Sequence, residues 1–144
     1  MSRANSDEHY IIDLCDKILK QKASRGHRFP FLLGDASLKT GKKRTLPVDA
    51  YYHDIQLVIE YQERQHTESV KLFNKPTATG VMRDVQRRVY DERRLEILPQ
   101  HGIKIVILDY TTFKTKNKKL LRDSLCDEHV LREKLAQFIR CPAP

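Results

Sequence analysis

The chain has 144 residues, 40% of them hydrophobic and 32% charged, which suits one soluble globular domain with a core of its own. No apolar run approaches the ~20 residues of a membrane span, so we expect no membrane partner. The first ten residues contain no apolar signal core, and we therefore expect a cytoplasmic protein.

The charge balance is strongly basic, because 27 lysines and arginines exceed 19 aspartates and glutamates, for a net charge of +8. Such an excess favours a polyanionic partner, although a generally basic protein without one fits the charge equally well. The three cysteines, Cys15, Cys126 and Cys141, are far apart and form no CxxC pair. Neither cysteine ligation of a metal nor disulfides are therefore expected.

The first third of the chain predicts a helix, a strand and a basic loop. Ser6 is a suitable N-cap, and apolar residues at helical spacing from Ile11 predict an amphipathic helix to about Lys22. The segment "ASRGH" is expected to end this helix before a short strand, "RFPFLLG". "DASLKTGKKR" then combines turn residues with four cations and is predicted to be a loop.

Two runs rich in β-branched and aromatic residues, "LPVDAYY" and "LVIEYQ", flank "HDIQ" and predict a β-hairpin. After the flexible loop "NKPTATG", a charged helix is predicted from Arg83 to about Gln100, with Pro99 and Gly102 at its end. A strand, "IKIVILDY", a basic loop, "KTKNKK", and a closing helix that includes "DEHVLREKLAQFI" follow. The order α-β-β-β-α-β-α predicts one α/β domain over residues 1–144, with a mixed central sheet flanked by helices.

The hairpin constrains its own register if its strands pair around a tight turn at Asp54 and Ile55. Asp49 then lies opposite Glu60, because side chains alternate between the two faces of a strand. The opposite face would carry six apolar or aromatic side chains, from Val48, Ala50, Tyr52, Leu57, Ile59 and Tyr61.

Two carboxylates in this register have Cβ atoms roughly 4.5–5.5 Å apart, and their charges repel each other. The pair is explained if a cation lies between them or if one carboxyl group is protonated. Hard divalent cations such as Mg²⁺ take oxygen ligands, so the pair and the basic surface together indicate a metal site facing a phosphate backbone. The alternative is an edge strand whose polar face is solvated.

At this point the residues resemble the PD-(D/E)XK nuclease superfamily, and most closely its very-short-patch-repair-like and homing-endonuclease-like branch. The resemblance covers about Ile11 to Phe113. In that family an Asp on one strand precedes Glu-x-Lys, or a variant of it, and a His follows soon after. A helix with Asp and Arg near its middle then precedes a Leu, a Gly and a strand. The matching residues are Asp49, Glu60-Tyr61-Gln62, His66, Asp91, Arg94, Leu98 and Gly102.

The sequence departs from the family pattern at three points. The last motif position holds Gln62 rather than Lys, as it does in some members of the superfamily. Pro47 lies one position earlier than the proline of the motif, and Val48 occupies that position. The small repair enzymes of this branch carry a structural zinc site, and no matching Cys/His cluster is present.

The resemblance implies an endonuclease of restriction or repair type that hydrolyses phosphodiester bonds in DNA with Mg²⁺, for which Mn²⁺ can substitute. It assigns metal ligation to Asp49, Glu60 and the backbone carbonyl of Tyr61, water orientation to Gln62, and general acid or base chemistry to His66. Structural ion pairing, a polar strand end and a solvated histidine are the respective alternatives. Three further acidic candidates are Glu8, Asp13 and Asp35.

Cations in two loops and on one helix are the candidates for contact with the DNA backbone. They are Lys39, Lys42, Lys43, Arg44, Arg87, Arg94, Lys116, Lys118 and Lys119. Solubilising loops, and helix arginines paired with neighbouring acids, are the alternatives. A homodimer would suit cleavage of both strands at a palindrome. The runner-up function is a catalytically degenerate DNA-binding module with this fold, and a basic scaffold without nucleic acid ranks third.

Overall fold

The computed structural model describes residues 6–63 and 75–139, which form a mixed α/β fold with three α-helices. The elements in chain order are α1 (Asp7–Leu19), β1 (Ser24–Leu33), β2 (Thr45–Tyr52), β3 (Leu57–Gln62), α2 (Arg83–Gln100), β4 (Lys104–Asp109), β5 (Thr115–Lys116), β6 (Lys119–Leu120) and α3 (Ser124–Lys134). The predicted order of helices and strands is confirmed, and the small hairpin β5–β6 is an addition to it.

The four long strands form one sheet in the order β1-β2-β3-β4. The pairs β1–β2 and β2–β3 are antiparallel and β3–β4 is parallel, so the sheet is mixed. The predicted register is confirmed, because Ala50 pairs with Ile59 and Tyr52 pairs with Leu57. Both strands of this hairpin lie inside the sheet, which excludes the alternative of a solvated edge strand.

Two apolar clusters cover the two faces of the sheet. One cluster contains buried residues of α1, β3 and α3, and the other contains residues of β1 and Leu98 of α2. Five of the six side chains predicted to share a face lie in the first cluster, but Val48 packs in the second. The ladder between β2 and β3 ends at Ala50, so Val48 lies beyond the regular pairing of the hairpin and instead pairs with His27 of β1.

Helix α1 is shorter than predicted, and β1 begins inside the segment that was predicted to separate them. Lys20 adopts a left-handed conformation with φ 54° and its N–H bonds to the Asp16 carbonyl, which ends the helix at Leu19. Gly26, with φ +59°, lies within β1. Pro30, which has no N–H to donate, is tolerated because β1 is an edge strand.

The segment predicted as a basic loop, "KTKNKK", contains the β5–β6 hairpin instead. Asn117 and Lys118 both have positive φ, of 53° and 61°, as the two central residues of a type I′ turn do. Asn is a recognised signal for this turn, but the usual following Gly is replaced by Lys, which hides the pattern. No helix within residues 6–63 and 75–139 is long and apolar enough to cross a bilayer.

Candidate metal-binding site

Asp49 and Glu60 face each other, and each side chain accepts a hydrogen bond from a backbone N–H of the opposite strand. The Asp49 N–H donates to Glu60 Oε2 over 3.3 Å, and the Tyr61 N–H donates to Asp49 Oδ2 over 2.8 Å. These side-chain bonds lie directly beyond Ala50, the last β2 residue in the regular ladder with β3. The two carboxylates are therefore fixed where β2 and β3 separate.

Burial makes this pair costly to ionise. Desolvation, followed by the negative charge of Glu60, raises the pKa of Asp49 to about 7, against hydrogen bonds from the Tyr61 N–H and Glu8. Desolvation also raises the pKa of Glu60, although the Asp49 hydrogen bond and the Arg94 charge oppose that rise. At neutral pH, a cation beside both groups would stabilise the ionised pair.

Arg94 of α2 lies against the pair without satisfying it. Its Nε is 3.4 Å from Glu60 Oε1 but donates its hydrogen to the Pro47 carbonyl over 3.1 Å. Its Nη1 donates to Asp91 Oδ1 over 3.0 Å. Glu60 Oε1 is buried and accepts no hydrogen bond, and such atoms are rare because an unmade bond is expensive. The donor set therefore fits a hard cation that would bind this oxygen.

A third carboxyl group reaches the pair from the first turn of α1. The Glu8 side chain hydrogen-bonds to Asp49, so one of the three additional acidic candidates lies at the site. Asp13 instead forms an ion pair with Arg25 at 2.7 Å. Asp35 forms one with Arg93 at 3.0 Å. Of the three acidic candidates, Glu8 therefore lies at the site, whereas Asp13 and Asp35 are paired with arginines elsewhere.

The remaining motif residues extend along and beyond β3. Gln62 ends the strand, pairs with Asp109 in the parallel ladder and is half-buried, and strand alternation places it on the Glu60 face. The Tyr61 side chain lies in the core on the other face, where burial raises its pKa. Only its backbone carbonyl remains a candidate ligand. His66 lies outside the described residues.

Among the residues that the structure describes, no group of three or more His, Cys, Asp or Glu side chains is arranged to hold a metal ion. Mg²⁺ keeps several waters and is commonly held by one or two carboxylates together with substrate phosphates, which a pair such as Asp49 and Glu60 could supply.

The predicted DNA-binding cations fall into two groups. Seven are exposed loop or hairpin residues, namely Lys39, Lys42, Lys43, Arg44, Lys116, Lys118 and Lys119. The two helix residues differ, because Arg87 is half-buried and Arg94 is only 15% exposed and engaged with Glu60 and Asp91. Arg94 therefore lies beside Glu60 and Asp91, as in the alternative of a helix arginine paired with neighbouring acids.

Sequence reasoning also missed a buried polar contact beside this region. Asp127 of α3 is 1% exposed and accepts hydrogen bonds from the Tyr10 hydroxyl over 2.6 Å and the Asp123 N–H over 3.0 Å. The contact joins α1 to α3, two helices 117 positions apart at these residues, so nothing in the local sequence pattern could have found it.

Comparison with known proteins shows similarity to part of one viral protein. The chain is 30% identical over 86 residues to an uncharacterized protein, 094L, of Frog virus 3 (isolate Goorha). The matched region is 60% of this chain and 54% of the viral protein, so it spans about half the length of that curated relative. No family model matches, and no solved structure matches.

Proposed function

We propose that this protein is a metal-dependent DNA endonuclease of the PD-(D/E)XK type. The observation that carries the proposal is the pair Asp49 and Glu60, half-buried on adjacent interior strands, with Glu60 Oε1 left without a hydrogen bond. An unpaired buried carboxylate oxygen costs stability in the absence of a ligand. A function that uses this oxygen explains why the arrangement is present.

Asp49, Glu60 and the Tyr61 carbonyl would hold Mg²⁺, or Mn²⁺ in its place. The bound ion would polarise the scissile phosphate and make a water more acidic. Glu8, whose side chain hydrogen-bonds to Asp49, would place a third carboxyl group near the ion. Arg94 would limit the repulsion within the pair before the ion arrives, because it lies 3.4 Å from Glu60.

Gln62 and His66 would contribute beyond the metal ligands. The Gln62 amide can donate and accept hydrogen bonds and so orient a water or a phosphate oxygen, but it cannot take a proton at neutral pH. His66 has the side chain whose ordinary pKa suits proton transfer near neutrality, and it is the proposed general acid or base.

DNA would be held by the exposed cations of residues 39–44 and of the β5–β6 hairpin. Phosphate contacts release counterions, so the logarithm of affinity should fall with the logarithm of salt concentration by about 0.9 per contact. Neutralising Lys42, Lys43 and Arg44 together should flatten this slope by roughly two to three units. Fluorescence anisotropy at several salt concentrations measures the slope, and an unchanged slope would remove this loop from the interface.

A catalytically degenerate DNA-binding module is the second candidate, and one observation favours it. The Arg94 guanidinium already lies beside Glu60, as it would in a structural ion pair that needs no metal. Gln62, which replaces the usual motif lysine, also favours the degenerate module. Such a protein would bind DNA with the same salt dependence but would not cut it with either ion.

The deciding experiment compares wild type with Asp49→Asn and Glu60→Gln on plasmid and short duplex DNA, with Mg²⁺, with Mn²⁺ or with EDTA. Each isosteric change removes a negative charge and should lower the cleavage rate at least about 1,000-fold, which corresponds to about 4 kcal/mol of barrier. Glu96→Gln, an exposed carboxylate on α2, is the matched control and should cut like wild type. Metal-dependent cutting by both site variants at the wild-type rate would refute the assignment. Binding without any cutting by wild type would support the degenerate module.

The biological setting stays a prediction. A cytoplasmic location and a restriction or repair role are what the composition and the resemblance imply. A homodimer would follow if the enzyme cuts both strands of a palindromic site, and light scattering with and without such DNA would test it.

A further inference from the structure

The loop of residues 34–44, which we call the Leu38 loop, has a shape fixed by backbone hydrogen bonds. The Gly34 N–H donates to the Arg44 carbonyl over 2.8 Å, the Ser37 N–H to the Lys42 carbonyl over 3.0 Å, and the Gly41 N–H to the Ser37 carbonyl over 2.8 Å. The loop is therefore closed at its base and again near its tip.

A second segment supports the tip of the loop from outside. The Leu38 N–H donates to the Ala78 carbonyl over 2.8 Å. Gly80, with φ +83°, lies beneath the Leu38 side chain, and a Cβ at that position would be only 2.7 Å from Leu38 Cδ1. The absence of a side chain at position 80 therefore lets the two segments approach closely and holds Leu38 in place.

This support leaves the Leu38 side chain 75% exposed. A single exposed leucine on a surface needs no explanation by itself. Leu38 differs because a braced loop presents it at a tip, against the segment that contains Ala78 and Gly80. Covering this side chain by a partner would remove apolar surface from water, which is favourable.

The charge around Leu38 favours a polyanionic partner. Lys39, Lys42, Lys43 and Arg44 are all exposed, and none of them has an ion-pair partner among the residues that the structure describes. Asp35 is the loop's single acid and is engaged by Arg93 at 3.0 Å. The loop thus presents one apolar side chain inside a group of unneutralised cations.

We propose that the Leu38 loop is a wedge that kinks double-stranded DNA, an inference that rests on the function proposed above. Its cations hold the phosphates on either side of one base-pair step, and the Leu38 side chain enters that step and partly unstacks it. Apolar wedges of this kind kink DNA by about 20–90°. Because unstacking a base-pair step is unfavourable, the wedge would favour flexible pyrimidine–purine steps.

The test uses a duplex with a fluorescence-transfer pair at its ends and 2-aminopurine at successive steps, measured in EDTA so that the DNA stays intact. Wild type should shorten the end-to-end distance and raise 2-aminopurine fluorescence severalfold at one step. Leu38→Ala should bind within about threefold of wild type but lose both signals. Leu125→Ala, an equal truncation of a leucine that is 82% exposed on α3, should retain both.

The outcomes separate this proposal from the endonuclease assignment. Wild type that binds and cuts DNA without unstacking any step, or Leu38→Ala that bends DNA like wild type, overturns the wedge alone. Wild type that neither binds nor cuts DNA overturns both. If light scattering shows a wild-type dimer that Leu38→Ala dissociates, the apolar tip serves a second copy of the chain, and the wedge is again overturned.

Discussion

In two places of this molecule an arginine lies beside a pair of acids, and the two pairs are satisfied differently. In the first group, Arg25 Nη2 donates to Asp13 over 2.7 Å and to Asp16 over 2.9 Å. Asp16 also accepts bonds from the Tyr52 hydroxyl over 2.6 Å and the Ala23 N–H over 3.1 Å. In this group both carboxylates are satisfied by the protein itself.

In the second group, Arg94 lies beside Glu60 but directs its hydrogens to a carbonyl and to Asp91, and Glu60 Oε1 accepts none. Burial also raises the pKa of both Asp49 and Glu60. The first group, which we call the clasp, thus leaves one nitrogen of Arg25 without a hydrogen bond but satisfies its carboxylates, whereas the second group leaves a carboxylate oxygen unsatisfied. The predictions below are ordered by their expected effect on the free energy of unfolding.

Removing the arginine of the clasp should have the largest effect on stability. Arg25→Met leaves Asp13 and Asp16 without their cation, and we expect a loss of about 2 kcal/mol, below the 3–5 kcal/mol of a fully buried pair because Asp13 is 59% exposed. Urea denaturation measures the change. The cleavage rate per folded molecule should stay unchanged, and a selective loss of cleavage would show that the clasp belongs to the site.

The pH dependence of stability should come mainly from the second group. Asp49 titrates near 3.8 when unfolded and at about 7 when folded, so the folded state holds a proton that the unfolded state has lost. The contribution of Asp49 to stability in EDTA should therefore be greatest below about pH 4 and should be lost as the pH rises from about 4 through 7. Asp49→Asn should flatten this fall, and Glu96→Gln should not. Equal pH profiles for wild type and Asp49→Asn would contradict the raised pKa.

Divalent cations should stabilise the folded protein by binding at the second group and not at the first. Mg²⁺ or Mn²⁺ at tenfold excess over the dissociation constant adds about 1.4 kcal/mol, because the ion binds only the folded state. Thermal unfolding of wild type should shift upward by a few degrees. Glu60→Gln should lose the shift, while Asp16→Asn should keep it, whatever its own stability. An undiminished shift in Glu60→Gln would place the ion elsewhere.

Gln62 should have the smallest effect on stability and a large effect on cleavage. Gln62→Ala removes a neutral half-buried amide, so the free energy of unfolding should change by no more than about 0.5 kcal/mol. Cleavage should slow by one to a few orders of magnitude, at about 1.4 kcal/mol of barrier per tenfold. DNA affinity should barely change. An equally active Gln62→Ala would remove Gln62 from the site, and cutting gained only in Gln62→Lys would identify a degenerate nuclease.

Local patterns predicted much of the framework. Alternation of apolar residues gave the pairing of Tyr52 with Leu57, and with it the juxtaposition of Asp49 and Glu60. The charged helix ends at Gln100 as Pro99 and Gly102 indicated. The end of α1 was predicted too late, because the left-handed conformation of Lys20 has no signal in the apolar pattern. The β5–β6 hairpin was missed, because Lys118 occupies a turn position that usually holds Gly.

The sequence by itself determined the order of helices and strands, the hairpin register and the residue pair at the candidate site, because these follow from periodicities of two and 3.6 residues along the chain. Tertiary structure alone decided that Arg25 satisfies its acids, that Arg94 leaves one oxygen of Glu60 unsatisfied, and that Glu8 rather than Asp13 reaches Asp49. The physical reason is range. Periodicity fixes the face on which a side chain lies, whereas hydrogen bonding depends on tenths of an ångström between elements far apart in the chain, set by how the helices pack on the sheet.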